Sequence, residues 1–66
     1  MPKDTEKEYA AKIREHLLHN YVVEGPAVVA KVRAWDKLVR VGHSAKTSAG
    51  EVAAQIARYE RLKKKT

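Results

Sequence analysis

Apolar side chains recur at helical spacing in the first third of the chain. An apolar residue falls at every fourth position, at Tyr9, Ile13, Leu17 and Tyr21. Residues four apart lie above one another on a helix, so this stripe forms one apolar side. The pattern predicts an amphipathic helix over residues 4–22.

Two further stretches of the chain show the same kind of periodicity. The second has its apolar residues at Val28, Val32, Trp35 and Val39, and it predicts a helix over residues 26–40. The third has them at Val52, Ile56, Tyr59 and Leu62, and it predicts a helix over residues 48–64. The aromatic residues on all three stripes are expected to pack in a shared core.

The predicted helices begin at recognisable start signals. Thr5 with Glu8, and Ser48 with Glu51, have the spacing of a capping box, in which the hydroxyl accepts from a backbone amide three residues later. Pro26 suits a first helical position and keeps the residue before it out of a helical conformation. These signals predict where each of the three helices begins.

Three amphipathic helices with short connections predict an all-α fold, a compact three-helix bundle. Residues 41–47, which contain a glycine and two hydroxyl residues, are expected to form a loop. A short strand over residues 37–41 stays open as an alternative, because this stretch contains β-branched residues. The whole chain, 1–66, is predicted to be one domain that ends in a short basic tail. Homodimerisation is compatible with this fold, because so short a chain buries only about 60% of its unfolded surface.

Composition narrows the functional classes. The 66 residues include no cysteine, which excludes disulfides, thiolate zinc sites and thiol catalysis. A core of this size leaves little room for a substrate pocket of about 300 Å³, so we expect no enzyme and no cofactor. The opening residues are polar, and no apolar run approaches the ~20 residues needed to span a bilayer. The expected location is the cytoplasm, with no membrane partner.

The positive charge is distributed unevenly along the chain. The formal net charge is +6, and the isoelectric point is about 9.8. Residues 1–24 contain more acidic than basic side chains, whereas residues 25–66 carry nearly all of the excess positive charge. Such asymmetry favours an anionic partner. A basic surface that serves only solubility is the simpler alternative.

The predicted interface consists of cations and hydroxyls in the last two thirds of the chain. Flexible cations spaced along a surface bind phosphates, and small hydroxyls add short-range bonds to phosphate oxygens. The predicted binding residues are Arg33, Lys37, Arg40, Ser44, Lys46, Thr47, Arg58, Arg61, Lys63, Lys64 and Lys65. Arg33, Lys37 and Arg40 are expected to share one side of the second helix.

Nucleic acid is therefore the predicted partner, with DNA favoured over RNA and a role in regulation or architecture. Orthodox reading of bases by a helix-turn-helix fits less well, because residues 26–30 offer almost no side chain that could bond a base edge. Stacking of single-strand bases on exposed aromatic residues is a further alternative, but it conflicts with the expected burial of the aromatics.

The histidines do not predict a metal site. His16 and His19 lie one helical turn apart, but the sequence places only the distant His43 as a further imidazole. Surface histidines are the simpler interpretation, and no metal is expected.

The alternative function is a small protein-binding adaptor or inhibitor that acts on a nucleic-acid-processing enzyme, of the size and charge seen in phage or plasmid regulators. A small bundle could expose an apolar edge to such a partner at residues 21–23 or 28–29.

Overall fold

The computed structural model describes residues 5–65, which fold into four helices. These are α1 (Glu6–Asn20), α2 (Gly25–Ala34), α3 (Asp36–Ser44) and α4 (Ala49–Tyr59). The prediction of an all-helical chain is confirmed, but the prediction of three helices is wrong. The predicted first residue of the first helix, residue 4, lies outside the described residues. The strand alternative for residues 37–41 is also wrong, because this segment lies within α3.

Both predicted capping residues begin their helices. The Thr5 hydroxyl accepts a hydrogen bond of 3.1 Å from the amide of Glu8 at the start of α1. The Ser48 hydroxyl accepts one of 3.3 Å from the amide of Glu51 at the start of α4. Each hydroxyl satisfies an amide that has no partner within its helix, which is why these two starts were legible in the sequence.

The predicted helix over residues 26–40 is broken at Trp35. Its backbone, at φ −99° and ψ 26°, leaves the helical region. The Trp35 amide still donates to the Lys31 carbonyl, and the Trp35 carbonyl still accepts from the Val39 amide. The chain therefore bends at Trp35 while both of these hydrogen bonds are kept. The bend lets the indole N–H of Trp35 donate to Glu60 Oε2 at 3.1 Å. Neither glycine nor proline marks this position, so the bend could not be predicted from the sequence.

The predicted loop over residues 41–47 is helical as far as Ser44. The end of α3 is a Schellman turn, in which the Lys46 amide donates to the His43 carbonyl and the Thr47 amide to the Gly42 carbonyl. Lys46 takes the left-handed conformation, at φ 61°, that this turn requires. Glycine usually occupies that position. Because a lysine stands there, the end of α3 could not be recognised from the sequence.

The end of α4 repeats this turn. The Arg61 amide donates to the Arg58 carbonyl and the Leu62 amide to the Ala57 carbonyl, and Arg61 has φ 55°. The helix therefore ends at Tyr59 and not near residue 64 as predicted.

The core lies where the four helices meet. It contains the stripe of α1 together with small and branched side chains from the other helices, namely Tyr9, Ile13, Leu17, Val28, Val32, Val39, Val52, Ala53, Ile56 and Ala57. The half-buried side chains of Tyr21, Trp35 and Leu62 pack against it. Burial of this apolar surface is the main source of stability for the fold.

Gly42 allows α3 to approach α1 and α4 closely. A Cβ atom at Gly42 would lie 2.6 Å from Val52 Cγ2 and 2.9 Å from Tyr9 Oη, so there is room for no side chain. The Tyr9 hydroxyl donates a hydrogen bond of 2.6 Å to the Thr47 carbonyl. Burial, and then the negative charge of Glu51, raises the pKa of Tyr9 above its usual value. A glycine that reads as a loop residue is thus a packing residue.

The basic tail is bonded to the connection between α1 and α2. The Val22 amide donates to the Lys63 carbonyl at 2.7 Å, and the Lys65 amide donates to the Asn20 carbonyl at 2.9 Å. The Lys65 ammonium also donates to the Leu18 carbonyl at 2.6 Å, near the end of α1. These bonds form an isolated antiparallel bridge that holds residues 63–65 against the bundle.

Candidate nucleic-acid interface

The predicted cations are exposed, and most form no ion pair with another residue of the described part of the chain. Among residues 5–65, two ion pairs are defined, Lys31 with Glu60 and Arg40 with Asp36. Of the predicted binding residues, Arg40 belongs to one of these two pairs. Its partner, Asp36, lies in α3 and not in the acidic first helix. The exposed predicted cations outside these pairs are Arg33, Lys37, Lys46, Arg58, Arg61, Lys63, Lys64 and Lys65.

The solvent-facing side of α3 carries part of the predicted interface. Lys37, Arg40 and Ser44 follow one another at helical spacing, and all are exposed. The Arg40–Asp36 pair on this side, at 3.1 Å, is itself exposed, so it is weak and leaves the Arg40 charge accessible. Arg33 belongs to α2, on the other side of the break at Trp35, so the predicted single stripe of Arg33, Lys37 and Arg40 is interrupted.

One end of the molecule carries cations from three helices and from the turn that follows α4. The rings of Trp35 and Tyr59 are stacked, with centroids 5.0 Å apart and an interplanar angle of 20°. This contact brings the α2–α3 bend to the end of α4. Four exposed cations are one or two positions along the chain from Trp35 or Tyr59. The Cα atom of each is therefore within about 8 Å of the Cα atom of one of these aromatic residues. We name this group the aromatic corner: Trp35 and Tyr59 with Arg33, Lys37, Arg58 and Arg61.

The remaining predicted residues lie elsewhere. Lys46 is in the turn before α4, and the 11 residues of α4 separate it from the aromatic corner by about 16 Å. Lys63, Lys64 and Lys65 lie beside the end of α1. Four of the predicted cations therefore lie near the Trp35–Tyr59 stack, and the others lie farther from it.

A charge network fixes the indole of the aromatic corner. Lys31 Nζ lies 2.7 Å from Glu60 Oε1, and the Trp35 indole N–H donates to Glu60 Oε2. The hydrogen bond from Lys31, which has the larger effect, and the hydrogen bond from Trp35 both lower the pKa of Glu60 below its usual value. The carboxylate is thus held by a cation and an N–H donor, which reduces its repulsion of an approaching anion.

Tyr59 is 58% exposed, so the prediction that it packs in the core is wrong. Its spacing from Ile56 suggested the apolar stripe, but Tyr59 is the last residue of α4, and its ring stacks on Trp35 instead of entering the core. Trp35 is half-buried, and Tyr9 is buried as predicted. An exposed aromatic ring at the end of a stripe could have been suspected only if the helix end had been recognised.

The predicted hydroxyls have different surroundings. Ser44 is exposed at the last position of α3 and not in a loop. Thr47 is half-buried, and its carbonyl accepts the Tyr9 hydroxyl. Of the two, Ser44 is the better placed to reach a phosphate.

The histidines of α1 border a shallow depression with a volume of about 270 Å³. It is lined by Glu15, His16, His19 and Asn20. Within residues 5–65, no group of three or more histidine, cysteine, aspartate or glutamate side chains could hold a metal ion together.

None of the helices in the described part of the chain has both the length and the apolar character needed to cross a membrane. Comparison with protein-family models, curated proteins and solved structures found no match to this chain.

Proposed function

We propose that this protein binds nucleic acid, with DNA favoured over RNA, chiefly through contacts to phosphates. The role is regulatory or architectural, and the proposal includes no catalytic step. The observation that carries it is the set of exposed cations that form no ion pair within residues 5–65, four of which lie at the aromatic corner.

An unpaired surface cation has more to gain from a phosphate than a paired one. Each phosphate that a lysine or arginine neutralises releases condensed counterions, and this release drives binding at low salt. The two internal ion pairs engage Lys31 and Arg40, neither of which is a cation of the aromatic corner, so the four corner cations are available for phosphates. Affinity should therefore fall steeply as the salt concentration rises.

The exposed surface at the start of α2, over residues 26–30, gives little means to read bases. Pro26, Val29 and Ala30 are exposed there and offer no side-chain donor or acceptor. Binding through phosphates alone carries no direct sequence information, so we expect weak sequence specificity.

The test is fluorescence anisotropy with labelled DNA and RNA over a range of salt concentrations. Lys37→Gln should weaken binding and reduce the slope of log affinity against log salt by about 0.7–0.9, the share of one phosphate contact. Lys7→Gln is the matched control, because Lys7 is an exposed lysine on the first turn of α1. It should leave the slope unchanged.

Equal effects of the two substitutions would mean that only total charge matters and that the corner is not an interface. Binding that is weak at low salt, or insensitive to salt, would refute the phosphate mechanism.

Exposed valines favour a second function, a protein-binding adaptor or inhibitor of a nucleic-acid-processing enzyme. Val22 is 61% exposed and Val29 is 45% exposed, whereas Val28, also named as part of an apolar edge, is buried. A protein partner captured after nuclease treatment, and lost with Val22→Asp and Val29→Asp, would support this function. Sedimentation equilibrium of the same variants tests homodimerisation, which would use the same valines.

A further inference from the structure

The ring of Tyr59 has one face in water. Trp35 stacks on it with centroids 5.0 Å apart and covers one face, yet 58% of the residue is exposed. A ring covered on one side can be exposed to this extent only if its other side is open. The hydroxyl of Tyr59 makes no hydrogen bond within residues 5–65, so the ring itself is what this position presents.

The Trp35 side of the stack is fixed before any ligand arrives. The indole N–H is bonded to Glu60, and Glu60 is bonded to Lys31. Trp35 also packs against the core. A ring supported in this way loses little freedom when a third ring is added, which favours binding.

The charges around the stack suit a phosphate chain. Arg58 and Arg61 flank Tyr59 in sequence, and Arg33 and Lys37 flank Trp35. The nearby acids, Glu60 and Asp36, are each engaged by a cation. The local surface is therefore an exposed aromatic ring among cations, the combination by which proteins hold single strands.

We propose that the aromatic corner binds single-stranded nucleic acid by stacking an unpaired base on the open face of Tyr59, while the flanking cations contact the adjacent phosphates. This inference rests on the proposed function and names the class of nucleic acid that the corner prefers. A duplex keeps its base faces covered by neighbouring bases, so it can use the cations but not the ring.

The test compares a labelled single strand of about 16 nucleotides, long enough for one small domain, with the same strand in a duplex. Tyr59→Leu removes the ring but keeps an apolar side chain. It should weaken single-strand binding by about 5- to 100-fold, the usual effect of losing one stacked base. Duplex binding and the salt slope should not change, because no cation is removed.

Two variants serve as controls. Tyr59→Phe keeps the ring and should bind the single strand within about twofold of the unmodified protein, because stacking is a property of the ring face. Val41→Ala shortens an exposed side chain on α3, 60% exposed, and should have no effect. Circular dichroism establishes that each variant is folded.

A second measurement does not depend on any substitution. A single strand with 2-aminopurine at every third position should change its fluorescence on binding, because the emission of this base depends on the ring on which it stacks. Unchanged fluorescence at saturation would contradict the stacking proposal even if a variant failed to fold.

The outcomes separate the two proposals. If Tyr59→Leu binds single strands as well as the unmodified protein does, and binding still falls with salt, the stacking proposal fails and phosphate binding stands. If the unmodified protein binds neither single strand nor duplex at low salt, both proposals fail. A duplex that binds more tightly than the single strand would also refute a single-strand preference.

Discussion

A Schellman turn lies at each end of α4, and the two turns have different surroundings. Before α4, the Schellman turn at Lys46 is covered by Tyr9, whose hydroxyl bonds the Thr47 carbonyl. After α4, the Schellman turn at Arg61 adjoins an exposed ring, Tyr59. The first end is closed by core packing, and the second is held together by a stack and a charge network. Both ends are therefore fixed, but only the second presents an aromatic ring to solvent.

The closed end should be the more sensitive to an added atom. Gly42→Ala places a Cβ 2.6 Å from Val52 Cγ2, and Val52 is buried and cannot move aside. Overpacking of this kind costs about 1–3 kcal/mol. For so small a domain that lowers the melting temperature by about 4–8 °C per kcal/mol.

Gly25→Ala is the matched control for that substitution. Apart from its two chain neighbours, nothing lies within 4 Å of the position where its Cβ would be, so the added methyl meets no core atom and thermal unfolding should change less than in Gly42→Ala. A Gly42→Ala protein as stable as the original would show that α3 is not tightly packed at this end.

The next effect concerns the two left-handed residues. Lys46→Gly and Arg61→Gly both remove a side chain from a conformation that costs a non-glycine residue about 1 kcal/mol, so both should stabilise by roughly that amount or less. Chemical denaturation measures this gain. The ends should differ in binding, since Arg61→Gly removes a cation of the aromatic corner and Lys46→Gly does not.

Equal losses of nucleic-acid affinity in the two glycine variants would contradict the assignment of the interface to the corner. A loss of stability in either variant would contradict the turn geometry itself.

The smallest effect is expected from pH at the exposed end. The pKa of Glu60 is lowered in the folded chain, so the folded state favours the ionised form. The stabilisation is therefore fully present above the usual value of 4.5 and is lost as pH falls through the lowered value. Glu60→Gln should flatten this part of the curve of melting temperature against pH.

Trp35 is the single tryptophan, so its fluorescence reports the same end of the molecule. Its emission should change over that acid range in the original protein and stay constant in Glu60→Gln. An identical pH profile in both proteins would mean that the Glu60 network adds nothing to stability.

The sequence predicted what depends on neighbours along the chain. The hydroxyls of Thr5 and Ser48 accept hydrogen bonds from amides three residues later, so their capping role depends only on nearby residues in the sequence. The stripe of Tyr9, Ile13 and Leu17 was legible for the same reason, since one face of one helix is buried.

The features that the sequence did not reveal depend on contacts across the fold. The bend at Trp35 accompanies contacts with Tyr59 and Glu60, which lie far along the chain. Gly42 read as a loop residue because its role is set by Val52 and Tyr9 on other helices. The open face of Tyr59 could not be predicted while the helix was expected to continue to residue 64. The composition of the candidate interface was therefore predictable, but the grouping of its residues was not.

The bonds between the tail and the first connection have a consequence for cooperativity. The Lys65 ammonium and the Leu18 carbonyl are 47 positions apart, and the amide of Val22 is bonded to the carbonyl of Lys63 nearby. The two ends of the described chain are thus bonded to each other through Val22, whose amide hydrogen cannot exchange freely until its bond to the Lys63 carbonyl breaks. Slow exchange at Val22 would therefore report that residues 63–65 stay docked against the end of α1.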